Sequence, residues 1–186
     1  MIIGLSGYAG AGKDTVADIL VARYGYDKRA FADPIRKGLY AINPMIDTAV
    51  RLQDVVDEYG WQVAKGNPEV RRLLQVFGTE FAKEQFGKDV WVKLATESLN
   101  PEERVVFSDV RFREEAAAII RLGGTVWRID RKGVGPVNEH ISESNMTGWK
   151  FDNILRNNFG KDELEAMVVS TMDWYDVYGN PSPLPA

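Results

Sequence analysis

Gly7-Tyr8-Ala9-Gly10-Ala11-Gly12-Lys13-Asp14-Thr15 decides how the rest of the chain is read. The string is G-x4-G-K, and its neighbours matter as much as its letters. Ahead of it, Ile2 to Ser6 is a short β-branched apolar run that predicts a buried strand. Behind it, Val16, Ala17, Ile19, Leu20 and Ala22 recur at helical spacing between Asp14 and Tyr24, and Gly25 supplies the stop. A glycine-rich turn between strand and helix is the setting in which this motif cradles phosphate. The glycines let backbone N–H groups turn inward around phosphate oxygens, and the helix N-terminus adds partial positive charge. Lys13 then reaches the β- and γ-phosphates as a flexible point charge.

One position departs from the usual motif. Where a Ser or Thr normally serves Mg²⁺ stands Asp14, with Thr15 one place later. Both offer oxygen, which hard cations take, and the sequence leaves open which one serves the metal. A dinucleotide-binding turn is the nearest mimic, with Asp33 about twenty residues beyond the glycines as a ribose-binding carboxylate. The third glycine of G-x-G-x-x-G is missing, however, and Lys13 replaces a residue that packs.

Composition narrows the classes further. At 186 residues the chain has the size of one domain with insertions, residues 1–186. Its 45% hydrophobic and 27% charged residues are average globular usage, which excludes extensive disorder. Acidic residues number 27 against 23 basic ones, a net charge of −4, the wrong sign for a duplex nucleic-acid binder. The absence of Cys excludes disulfide scaffolds, thiolate metal sites and cysteine nucleophiles. A single histidine, His140, excludes multi-histidine zinc centres and is expected to be structural. MIIGLSG is too short for a signal-peptide core, and no run approaches the ~18 apolar residues of a membrane span. A soluble cytoplasmic protein without a membrane partner is expected.

Further strands are predicted at Lys28–Ala32, Arg104–Ser108, Thr125–Ile129 and Asp152–Arg156, and helices at Pro34–Ile42, Arg113–Leu122 and Asp162–Tyr178. Asp47 to Leu99 shows helical patterns only, so a helical insertion is expected at about 34–100. Asp130 to Lys150 is polar and rich in Gly, Ser and Asn, the length and character of a lid, placed at about 131–150. Strands alternating with helices give an α/β fold with a mainly parallel five-stranded sheet, whose ligands bind beyond the carboxyl ends of the strands. Asp109 closes one such strand, where a carboxylate supports Mg²⁺ or touches substrate, and Arg111 and Arg113 follow it as phosphate-binding candidates. Asp57-Glu-Tyr-Gly60 matches a GTPase D-x-x-G string but falls in a helical pattern, and no N-K-x-D string accompanies it. Val110 stands where a motor ATPase would want a second acid. A small kinase remains.

The segments GLSGYAGAGKDTVAD, FADPIRK, RRLLQVFGTE, DVW, FSDVRFREEA, EHISE and FDNILRNNFGKDEL run in order from Ile3 to about Leu164. Together they resemble the phage-type deoxynucleoside monophosphate kinases of the P-loop kinase superfamily. The resemblance implies a three-layer P-loop kinase fold with a helical acceptor-binding insertion and a lid loop. It implies transfer of phosphate from ATP to a deoxynucleoside 5′-monophosphate with Mg²⁺, in the host cytoplasm if phage-encoded, by a monomer or homodimer. Gly7, Ala9, Gly10, Ala11, Gly12, Lys13, Asp14 and Thr15 would then hold ATP, with Asn157 and the turn after it beside adenine. Metal would fall to Asp14, Thr15 or Asp109. Asp33, Lys37, Arg72, Gln75 and Thr79 would face the acceptor, with Trp91 packing near its base. Asp109, Arg111 and Glu115 would meet the acceptor from the other side. Lys83 stands where many relatives carry an arginine, and Ser142-Glu143 would anchor the lid.

An acceptor phosphate is already ionised at neutral pH, so catalysis needs positioning and charge neutralisation rather than a base. Lys13, Arg111 and Arg131 are the catalytic candidates, with Arg128 beside Arg131 at the lid's root. Trp61, Trp127, Trp149 and Trp174 are expected to pack in core or lid. Two other readings stay open: a dephospho-coenzyme A kinase-like transfer to a sugar hydroxyl, with Asp33 as base, and a non-catalytic nucleotide-binding switch.

Overall fold

Ile2–Ser6 (β1) is buried at every position, so both of its faces need cover. The computed structural model, which describes residues 1–100, 102–135 and 145–179, supplies it with a five-stranded sheet. Asp27–Arg29 (β2), Val105–Val110 (β5), Thr125–Asp130 (β6) and Asn153–Arg156 (β7) join β1 in the order β2-β5-β1-β6-β7, with every pair parallel. Alternation along β1 then sorts the helices. Ile3 and Leu5 pack with Val16 and Leu20 of Lys13–Tyr24 (α1) and with Leu164 and Val168 of Lys161–Tyr178 (α8). Gly4 faces the other way, where an added Cβ would crowd Ile119 of Arg113–Arg121 (α7). Helices thus cover both faces, the three-layer α/β arrangement predicted from the pattern.

β1 is central and its neighbours β5 and β6 lie on opposite sides, so the chain leaves β1 at the point where the strand order reverses. Open parallel sheets place ligands there. β2 is shorter than predicted. Ala30 and Phe31 leave the ladder because the Phe31 N–H donates to Asp109 Oδ1 at 2.7 Å and its ring stacks on Phe107 at 4.4 Å.

These elements form one compact unit, Met1–Phe31 together with the described residues from Ser98 onward; Ala32–Glu97 forms a second. The second unit contains Asp33–Ile42 (α2), Leu52–Ala64 (α3), Pro68–Gln75 (α4), a π-helical stretch Val76–Phe81, Ala82–Phe86 (α5) and Val90–Thr96 (α6). It also contains an antiparallel pair, Met45–Asp47 (β3) with Val50–Arg51 (β4), where the sequence patterns predict helix alone. Leu39, Ile46, Leu52, Ala64 and Val70 form its core. Asp57-Glu-Tyr-Gly60 lies inside α3, as its helical pattern predicts, although Gly60 (φ 77, ψ 168) breaks the helix there. Among the described residues, no helix is long and apolar enough to cross a membrane.

The turn between α7 and β6 leaves no room at Gly124, whose added Cβ would sit 2.5 Å from the Ile2 carbonyl oxygen and 2.8 Å from Ile119. The backbone of the central strand cannot give way as a side-chain tip can. Gly124→Ala is expected to destabilise the fold by about 1–3 kcal/mol, read as a lowered urea midpoint at unchanged m-value.

Candidate active site

The loop from Gly7 to Gly12 is held from outside by its carbonyl groups. Lys13 Nζ donates to Gly7 O (2.8 Å) and Tyr8 O (2.9 Å), Asn157 Nδ2 donates to Ala11 O (2.9 Å), and Arg131 Nη1 reaches Gly10 O (3.4 Å). A carbonyl fixed on one side of a planar peptide fixes the following N–H on the other. Gly7 (φ 148), Gly10 (φ 78) and Gly12 (φ 108) adopt the left-handed region that such a path requires. Gly12 is also the N-cap of α1 and has no side chain to occupy the helix's first N–H groups. Those groups and the dipole behind them make a seat for an anion.

Two of the candidate metal residues part company. Asp14 is exposed and turned onto the surface of α1, where Lys28 Nζ stands 2.9 Å from it and 2.9 Å from Asp18. Thr15 is half-buried in the first turn. Asp109 lies at the carboxyl end of β5, whose Val110 pairs with Ser6 at the loop's entrance. One of its oxygens receives the Phe31 N–H, so it anchors the exit from β2 as well.

Glu115 caps α7, its Oε2 receiving N–H groups from Arg111 (2.7 Å) and Phe112 (3.0 Å). Burial pushes its carboxyl up to about 7, with the Asp109 carboxylate adding to the rise and the two N–H groups opposing it. The Arg111 side chain is exposed. Arg113 binds the Asn145 carbonyl and side chain and the Thr147 carbonyl. Arg128 is tied too, with Nε 2.7 Å from Asp130 and its guanidinium over the Tyr8 ring at 4.7 Å and the Phe151 ring at 5.7 Å. His140, Ser142 and Glu143 lie outside the described residues, as does the middle of the expected lid.

In the helical unit the expected acceptor residues have several fates. Arg72 holds both arms of its fork on Glu69, at 2.7 and 2.8 Å, and Gln75 is exposed. The side chains of Thr79 and Lys83 lie outside the described residues. Trp91 is 9% exposed, donates its indole N–H to Gly78 O at 2.6 Å and packs on Phe77. A cleft of about 450 Å³ opens elsewhere in this unit, lined by Asp33, Arg36, Lys37 and Tyr40 of α2 and Val56, Asp57 and Trp61 of α3. Asp33 and Lys37 were legible candidates. Arg36, Tyr40, Asp57 and Trp61 were not, although the i, i+3, i+4, i+7 spacing on α2 marks a shared face. Of the other tryptophans, Trp127 is fully buried against Tyr175, as expected, whereas Trp174 is 47% exposed.

A carboxyl raised in the fold takes up a proton there that it lacks in the unfolded chain between pH 4.5 and about 7. Stability contributed by protonated Glu115 is therefore present at low pH and lost as pH rises through that window. Relative to Glu115→Gln, which keeps an acceptor for the cap, the native protein is expected to lose about 2–3 kcal/mol between pH 5 and 8. Urea titrations of both proteins across that range check it.

Comparison with known proteins follows the same direction as the geometry. The family model for deoxynucleotide monophosphate kinase matches residues 50–168. A protein of Acanthamoeba polyphaga mimivirus named "Putative deoxynucleotide monophosphate kinase" is 31% identical over 194 residues, covering 93% of this chain and 96% of its own. In three dimensions the chain is similar to shikimate kinase from Aquifex aeolicus, with a TM-score of 0.50 over 96% of this chain and 100% of the other. At 16% identity that likeness speaks for the P-loop kinase fold alone. With the phosphate loop, the strand order and a family match over more than half its length, this chain belongs to the deoxynucleotide monophosphate kinase family.

Proposed function

We propose that the protein transfers the γ-phosphoryl group of ATP to the 5′-phosphate of a deoxynucleoside monophosphate. The observation that carries this reading is the loop whose carbonyls are bound from outside, with Lys13 lying across it. Such a loop seats polyphosphate. On ATP binding, the Lys13 ammonium exchanges its bonds to Gly7 O and Tyr8 O for phosphate oxygens and neutralises charge there. Thr15 and Asp109 offer the oxygen donors that suit Mg²⁺, while Asp14 is engaged by Lys28. Held by those oxygens, Mg²⁺ would supply charge neutralisation to the polyphosphate. Arg131, already at Gly10 O, is placed to follow the charge of the transferring group.

The acceptor phosphate is assigned to Arg36 and Lys37 in the α2–α3 cleft. Arg36 Nη1 bonds Asp33 Oδ1 at 2.9 Å, but its Nε is buried and has no hydrogen-bond partner among the described residues. An unsatisfied buried donor costs about 1–3 kcal/mol, which an anionic oxygen would recover. Asp33 holding an arginine in place favours a phosphate acceptor over the sugar-hydroxyl reading that would make Asp33 a base.

The test is ADP formation from Mg-ATP with each deoxynucleoside and ribonucleoside monophosphate and with dephospho-coenzyme A. Turnover of deoxynucleoside monophosphates is expected, and Lys13→Ala should reduce it by about 10²–10³-fold. Arg36→Lys, which lacks the Nε–H, should raise the acceptor KM about tenfold with little change in the KM for ATP. Transfer only to dephospho-coenzyme A, or ATP binding without transfer to any acceptor, would overturn the reading.

A further inference from the structure

Asp33, Arg36, Lys37 and Tyr40 line one face of α2, and the charge along that face is not uniform. Both cations lie toward its beginning. Tyr40 comes one turn after Arg36, about 6 Å further along the axis. There its hydroxyl donates to Asp57 Oδ1 at 2.7 Å, across from Trp61. The cleft therefore sets two cations against the one carboxylate of Asp33 at one end, and at the other it presents a carboxylate beside an aromatic wall. A nucleoside monophosphate has the same layout, an anionic phosphate and, one sugar away, a flat base with polar edges. The cleft volume of about 450 Å³ lies within the range of small-molecule sites.

We propose that Asp57 selects the base of the acceptor, reading a base that presents adjacent N–H donors, with Trp61 as the wall against which it stacks and Tyr40 orienting the carboxylate. This rests on the cleft being the acceptor's seat. An ionised carboxylate only accepts hydrogen bonds and has about four lone-pair sites. The Tyr40 hydroxyl takes one, which fixes the group and leaves its second oxygen for the ligand. Guanine offers two neighbouring donors on its pairing edge, N1–H and N2–H, and meets a carboxylate with both. Cytosine and adenine offer one amino group beside a ring nitrogen that accepts. Thymine flanks its one N–H with two carbonyl oxygens, which a carboxylate repels. Trp61 suits the stacking role better than Trp91 does: it is half-buried on the cleft wall, immediately after the Gly60 break, whereas Trp91 is enclosed.

The experiment measures kcat/KM and equilibrium binding of dGMP, dCMP, dAMP and dTMP for the full chain, for Asp57→Asn and for Tyr40→Phe. The native protein should favour dGMP over dTMP by about tenfold or more. Asp57→Asn, of nearly equal volume but with a donor in place of one acceptor, should collapse or reverse that ratio. Tyr40→Phe should narrow it in the same direction by less. Equal preference for dGMP and dTMP in the native protein, or a ratio that Asp57→Asn leaves in place, would overturn the proposal while deoxynucleotide turnover itself stands. No turnover of any deoxynucleotide would remove the kinase reading as well. Should Asp57→Asn fail to fold by circular dichroism, the Tyr40→Phe ratio decides, and an unaltered ratio overturns the proposal.

Discussion

The loop of the site is fixed by a contact from far along the chain, the Asn157 side-chain amide on the Ala11 carbonyl. It joins the end of β7 to the phosphate loop that follows β1, and it works only because residue 12 is glycine. A Cβ there would lie 2.5 Å from Asn157 Nδ2. Gly7 is constrained in the same way, since its Cβ would run into the Ile129 carbonyl. Two strands that flank the loop therefore set its path at two glycines. The loop's backbone path is thus fixed by contacts from the sheet.

Around that loop, positive charge is distributed by competition among acidic partners. Lys28 draws Asp14 away from the anion seat and removes a carboxylate that would oppose polyphosphate. Arg113 is engaged by Asn145 and Thr147, and Arg128 is fixed between Asp130 and two aromatic rings, one of them Tyr8 in the loop itself. Those arginines shape the walls. Lys13 and Arg131 reach carbonyl groups of the loop itself.

The sheet and the loop were legible in the sequence because their signals are local. The apolar runs of β1, β5 and β6, a strand-to-helix turn and a lysine after glycine need no knowledge of what lies far off in the chain. The β3–β4 pair was missed because it is two to three residues a strand, too short for any period to show. The surroundings of Trp91 and Trp61 are hidden in the sequence for a different reason. Which tryptophan is enclosed depends on Phe77 and Gly78 closing over one of them and on the Gly60 break turning the other toward a cleft. Neither event leaves a mark at the tryptophan itself. The Arg113 attachment is invisible for the same cause, since Asn145 and Thr147 lie far along the chain, whereas Asp130 stands two residues from Arg128 on β6.

Glu115 joins a helix cap to the carboxyl end of β5. Two carboxylates, Asp109 and Glu115, stand close enough near the end of β5 for each to disfavour the other's charge. If both were fully ionised, they would repel the anionic ligands that the neighbouring loop is built to bind. Desolvation raises the Glu115 carboxyl to about 7, so near neutral pH it carries only part of a charge while its oxygen still caps α7. Asp109 stands at the end of β5 with one oxygen on the Phe31 N–H. The helix cap and the electrostatics of the site are thus two consequences of placing one buried carboxyl at residue 115.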